Sequence, residues 1–142
     1  MPAKPSLTLQ RRINAAPAKV FRAWTEAAQL MKWMHPGDAE VIRAELDARV
    51  DGRYLIRYLK TDGRELEVNG QYLEVVPDAK LVFTWAWRSS PEQESLVTVL
   101  LRPDGNATLL TLTHEQFVDE ETRDHHQFGW NGGLDSLERY FA

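Results

Sequence analysis

The sequence contains no cysteine. A disulfide framework, a thiolate nucleophile and a zinc–thiolate site are therefore excluded, and the absence fits a reducing compartment. Long apolar runs are missing too. Nothing approaches the ~20 residues a membrane span needs, and the N-terminal stretch MPAKPSLTLQRR lacks the apolar segment of a secretory signal. A cytoplasmic protein that does not engage membranes is expected. Nor is there an excess of positive charge: 17 Lys and Arg stand against 21 Asp and Glu, a net of −4. Such a balance leaves no basic footprint for nucleic acid and no polybasic surface for anionic lipid.

Catalytic and metal-binding motifs are equally scarce. No HxxxH or HExxH pattern occurs, and His125 and His126 are neighbours on a predicted helix. Side chains ~100° apart on a helix do not chelate one metal from a common face, so neither a metal nor another cofactor is expected. No GxSxG elbow supports a serine hydrolase. The run Gly129-x-x-Gly132-Gly133 falls inside a predicted helix, where its amides are committed to the helix ladder and cannot cradle phosphate.

What the chain does contain is a regular pattern of short elements. At 142 residues it has the length of one domain, taken as 1–142, with residues 1–5 and their two prolines as a loose tail. Residues 6–13 alternate as a strand. Pro17 opens a first helix bearing Val20, Phe21 and Trp24, and Thr25 is placed to cap a second, carrying Leu30, Met31 and Trp33, that stops at Pro36-Gly37. Two strands then flank Asp51-Gly52, and further strands cover 65–76, 81–87, 96–101 and 108–114, separated by turn-forming residues. A long helix from Asp119 to Ala142 closes the chain, with Asp119 as N-cap, Glu120 and Glu121 in the first turn and Arg139 near the end.

Winding that helix at 100° per residue puts His126, Trp130, Gly133, Leu137, Tyr140 and Phe141 on one face, with Leu134 at its edge and Ser136 on the polar flank. Short hairpins imply an antiparallel meander, and the terminal helix is the one large apolar partner for its inner face. The predicted fold is α+β: a curved antiparallel sheet of six to seven strands wrapped around the C-terminal helix, with two short helices after the first strand. A curved sheet and a helix that lacks side chains at Gly129 and Gly133 do not pack flush everywhere, which favours a pocket between them.

Ordered stretches along the chain carry a resemblance. They are Ala16-Pro17 with Val20–Thr25, Leu30 and Trp33; Asp47, Arg49, Gly52 and Tyr54; Gly70, Tyr72, Glu74, Val75 and Pro77; Leu81–Trp85; Thr108, Leu110, Leu112 and His114; and Gly129-Trp130 with Leu134 and Leu137. Together they resemble the START-related (SRPBCC, Bet v 1-like) superfamily, and within it the single-domain bacterial proteins of the activator-of-heat-shock-protein-90-ATPase-like family. The resemblance implies a helix-grip fold and a cavity for a small hydrophobic molecule. Asp51 departs from the glycine usual before Gly52, yet Asp-Gly still turns tightly.

The candidate ligand-binding residues follow from the inward faces. Trp24, Trp33 and Met34 come from the short helices, Tyr54, Tyr58, Tyr72, Trp85, Trp87 and His114 from the strands, and His126, Gly129, Trp130 and Gly133 from the terminal helix. An aromatic-lined volume with few polar anchors suits an aromatic or lipid-like molecule; for any one tryptophan, plain core packing explains its place as well. Met31 and Met34 beside Trp33 offer an adaptable lip. His114 and His126 are the candidate acid/base groups of a rival reading, a cyclase- or hydrolase-type enzyme, although a histidine satisfied by its neighbours is the commoner situation. A third reading, a chaperone-interaction module, rests on the family name alone. Glu65 and Glu67 are expected on the outer face, and Glu74 faces inward unless a bulge intervenes. Asp47 and Arg49 are read as forming a structural ion pair or capping a loop rather than binding substrate, and a homodimer is compatible with all of this.

Overall fold

Leu7, Leu9 and Ile13 alternate with polar residues and form strand β1 (Leu7–Ile13) in the computed structural model of the chain, which describes residues 4–36 and 38–142. Helix α1 (Pro17–Thr25) starts on its proline and buries Val20, Ala23 and Trp24. Helix α2 (Ala27–Trp33) buries Leu30 and Trp33. Thr25 does not cap α2. It is still the last residue of α1, where its hydroxyl bonds back to the Phe21 carbonyl (2.9 Å), and Glu26 takes the N-cap position without a side-chain bond. Gly37 of the expected stop lies outside the described residues.

The strands that follow are β2 (Glu40–Leu46), β3 (Arg53–Leu59), β4 (Glu65–Val76), β5 (Lys80–Trp87), β6 (Ser95–Asp104) and β7 (Ala107–Glu115), before helix α3 (Glu120–Tyr140). They form one seven-stranded sheet in the order β1-β7-β6-β5-β4-β3-β2, each neighbouring pair antiparallel. Hairpins join β2 through β7 in sequence. Helices α1 and α2 carry the chain from β1 at one edge to β2 at the other. The β2–β3 connection runs over several residues rather than two: Asp47 and Arg49 pair across it (2.9 Å), and Asp51 adopts a left-handed φ of 69°.

Bulges and one glycine curl the sheet. The register shifts between Val41 and Arg43 on β2 and between Tyr72 and Glu74 on β4, which raises local twist. At Gly70 a Cβ would sit 2.0 Å from the carbonyl oxygen of Thr84 on β5, so no side chain fits. That carbonyl also accepts the Tyr54 hydroxyl, and the Thr84 hydroxyl accepts the Gln71 amide at 2.9 Å. The bulge beyond it turns Glu74 outward, onto Lys80 (3.2 Å), and away from the concave face. Glu67 lies opposite the inward Val68 and pairs with Arg57 (2.9 Å).

Helix α3 fills the concavity. Asp119 caps it, accepting the Thr122 amide at 2.8 Å, with Glu120 and Glu121 in the first turn and Arg139 in the last. Trp130, Gly133, Leu134 and Leu137 are buried, and so is Ser136, which the helical wheel assigns to the polar flank. The helix is covered on two sides, by β1 and by α2, so its buried face is wider than one apolar stripe. Arg11 of β1 fastens it by donating to Asn131 (2.7 Å) and to the Asp135 carboxylate. Within the expected N-terminal tail, the Pro5 carbonyl accepts the Phe117 amide (3.2 Å); residues 1–3 lie outside the described residues.

Candidate ligand-binding site

All five tryptophans lie on one path of ring contacts. Trp33 meets Trp24 edge to face at 4.8 Å between centroids, Trp24 meets Trp130 at 6.0 Å, Trp130 meets Trp85 at 5.2 Å, and Trp85 meets Trp87 at 5.6 Å. The path starts on the short helices, crosses α3 and ends on β5. Alternation on β5 and the 3.6-residue period on α3 bring these rings together.

Where the path reaches Trp87 the packing opens into a cavity of about 510 Å³. Its sheet wall is Tyr58 of β3, Lys60 just past the end of that strand, Leu66 of β4, and Trp85 and Trp87 of β5. Met34, Pro36, Asp38 and Ala39 of the segment after α2 form a second side, and His125, His126, Phe128, Gly129 and Trp130 of α3 a third. Phe128 is 72% exposed, a large apolar ring held at the rim. Deeper in, Trp24, Tyr54, Tyr72, Trp85 and Trp130 border a separate void of about 20 Å³.

Of the residues expected from sequence, Met34, Tyr58, Trp85, Trp87, His126, Gly129 and Trp130 therefore line the cavity. Trp24, Tyr54 and Tyr72 line only the small void. Trp33 is fully buried, donating its indole N–H to the Ala23 carbonyl (2.8 Å), and borders neither space. Gly133 is turned to Met34: a Cβ there would lie 3.6 Å from the Met34 sulfur. Gly129 faces Pro36 in the same way, at 3.5 Å, but at the cavity wall. Met34 is buried rather than a lip, and Met31 is on the surface. Sequence reasoning passed over Pro36, Asp38, Ala39, Lys60, Leu66, His125 and Phe128. Lys60 shares the inward parity of Tyr58 and Leu66 that of Val68, which was a usable signal; the segment after α2 has no periodicity to read.

The histidines are bound by indoles. Trp130 donates to Nδ1 of His114 (2.9 Å), which leaves the proton on Nε2, donated to the Ser95 hydroxyl (2.7 Å); that hydroxyl in turn reaches the Trp85 carbonyl (3.2 Å). Trp87 donates to Nε2 of His126 (2.8 Å), whose Nδ1–H bonds the Thr122 carbonyl (2.8 Å). Burial lowers the pKa of His114 well below the usual range, with His126 adding to the effect. Burial likewise lowers that of His126, against the Thr122 carbonyl and with a small push from His125. Both rings are neutral near pH 7, and His114 lies behind the wall, not on it. Among the described residues no group of three His, Asp or Glu side chains is arranged to hold a metal, and no helix is long and apolar enough to cross a membrane.

A sequence model described as Activator of Hsp90 ATPase homolog 1-like protein matches residues 14–142. The chain belongs to this family. Its seven-stranded curled sheet around a C-terminal helix is the helix-grip fold that the resemblance implied. Among solved structures, a protein of Chromobacterium violaceum is 27% identical with a TM-score of 0.86, the match covering 96% of this chain and 97% of that one. An AHSA1 protein of Silicibacter pomeroyi is 27% identical with a TM-score of 0.85, covering 96% of both chains. A Rhizobium loti protein is 30% identical with a TM-score of 0.79, covering 95% of both. No curated protein matches the chain. Folds of this AHSA1/SRPBCC type commonly bind hydrophobic ligands.

Proposed function

We propose that the chain binds a small hydrophobic molecule, aromatic or lipid-like, between its sheet and the N-terminal half of α3. The observation that carries this reading is the cavity of about 510 Å³ walled by Trp85, Trp87 and Trp130. Its volume falls in the range of ligand sites, ~300–1,000 Å³. Indole and thioether surfaces supply dispersion contact to a flat apolar molecule, and Phe128 at the rim adds an apolar entrance. The rival acid/base reading is less well supported, because the acceptor nitrogens of both histidines already hold indole protons. In the co-chaperone reading the cavity has no part.

The test is titration with the uncharged probe N-phenyl-1-naphthylamine, followed by its fluorescence and by thermal unfolding. Saturable binding at one site per chain, raising the unfolding temperature with probe concentration, is the expected result. Weak, non-saturating fluorescence with no thermal shift would overturn the reading.

A further inference from the structure

The cavity wall spends its hydrogen-bond acceptors before its donors. Nε2 of His126 is taken by Trp87, and Nδ1 of His114, just behind the wall, by Trp130. Asp38 is exposed at the rim and accepts the Thr61 hydroxyl at 2.7 Å. Two inner groups keep unspent protons. Tyr58 is 1% exposed as a residue and lines the cavity, and no side-chain hydrogen bond joins its hydroxyl to another described residue. Trp85 is 5% exposed, and its indole N–H is likewise unpartnered. A buried donor without a partner, as at Trp85, costs about 1–3 kcal/mol and is usually explained by something the protein takes up, whereas the Tyr58 hydroxyl is not sealed off in this way and is open to the cavity.

Tyr58 is the better placed of the two to meet a ligand. It projects from β3 onto the cavity, its ring packs against Trp87 at 5.9 Å, and a phenol both donates and rotates to suit its acceptor. Burial raises its pKa well above the ordinary tyrosine range, so the proton stays on the oxygen. Around it the wall is Leu66, Trp85, Trp87 and Ala39, and the one lysine of the wall, Lys60, stands just past the end of β3. Such surroundings accept a neutral oxygen and penalise an unpaired anion.

We propose that Tyr58 is the polar anchor of the cavity and that the ligand is a flat apolar molecule bearing a neutral acceptor oxygen, of the ketone, ester or phenol class. This rests on the ligand-binding reading above. The test uses a matched pair of probes, 2-acetylnaphthalene and 2-ethylnaphthalene, titrated calorimetrically into the wild-type chain, Tyr58→Phe and Trp85→Phe. The wild type should prefer the ketone by about tenfold, the value of one hydrogen bond. Tyr58→Phe should reduce the preference to within about twofold and unfold no earlier than the wild type. Equal affinities in the wild type, a preference that survives in Tyr58→Phe, or one lost only in Trp85→Phe would overturn the anchor and leave the cavity reading standing. Binding of neither probe by the wild type would overturn both.

Discussion

His114 and His126 meet edge to face with 5.1 Å between ring centroids, and carry their single protons on opposite nitrogens, Nε2 in the first and Nδ1 in the second. The choice is made by tryptophan. Trp130 and Trp87 each supply an indole proton to the nitrogen that must then be bare. Protonating either ring would set two donors against each other and place a cation among Phe117, Trp85 and the second imidazole.

This pair makes stability pH-dependent. Both folded-state pKa values are lowered, by burial first, whereas in the unfolded chain histidine titrates near 6.5. Below that pH the unfolded state binds more protons than the folded one, so stability is full above about pH 7 and falls as pH drops through 6.5 and below. The slope is at most about 1.4 kcal/mol per pH unit for each histidine. Urea unfolding between pH 7.5 and 5 should show it, and His126→Gln should flatten part of it. A stability that is level across that range would contradict the assignment.

Gly129 and Gly133 of α3 should behave differently. A methyl group at Gly129 meets Pro36 at ordinary contact distance, 3.5 Å, so Gly129→Ala should raise stability by about 1 kcal/mol through helix propensity. Gly129→Leu should instead project into the cavity wall and abolish naphthalene-probe binding while the chain stays folded. Gly133→Leu drives against Met34, whose sulfur lies 3.6 Å from the would-be Cβ, and should cost about 1–3 kcal/mol. Thermal melts and probe titrations on the three variants separate these outcomes; a stabilised Gly133→Leu would be the wrong sign.

Gly70 should tolerate nothing larger. With a Cβ placed 2.0 Å from the Thr84 carbonyl oxygen, the β4–β5 pair must part, and the Tyr54 hydroxyl and Gln71 amide lose their shared anchor. Gly70→Ala is expected to destabilise by about 3 kcal/mol or more. Chemical denaturation measures it, and a loss under ~1 kcal/mol would mean that the sheet relaxes there at little cost.

The outline of the fold was legible because its strands alternate cleanly and its long helix is both periodic and capped: Asp119 sits where its side chain closes the first turn. Alternation tells which residues of a strand face inward, but not how deep each lies. Tyr54 and Tyr58 share a face of β3, yet one borders a void of about 20 Å³ and the other the main cavity. Depth is set by what lies opposite, and here that is the irregular segment holding Met34, Pro36 and Ala39, which has no period to betray it. Ser136 was misplaced for a related reason: a wheel assumes one covered face, and α3 has β1 on one side and α2 on another. Glu74 depended on a bulge, a one-residue event that resets parity and leaves little trace in composition.

The connected tryptophans have a consequence for spectroscopy. With successive rings 4.8–6.0 Å apart, the five indoles are coupled chromophores rather than independent ones. Excitation absorbed at Trp33, deep in the helical layer, can migrate along the series to Trp87 beside the cavity. A quencher bound against Trp85 and Trp87 therefore drains emission from the whole array, and the protein's own ultraviolet fluorescence serves as an amplified reporter of occupancy at one end of it.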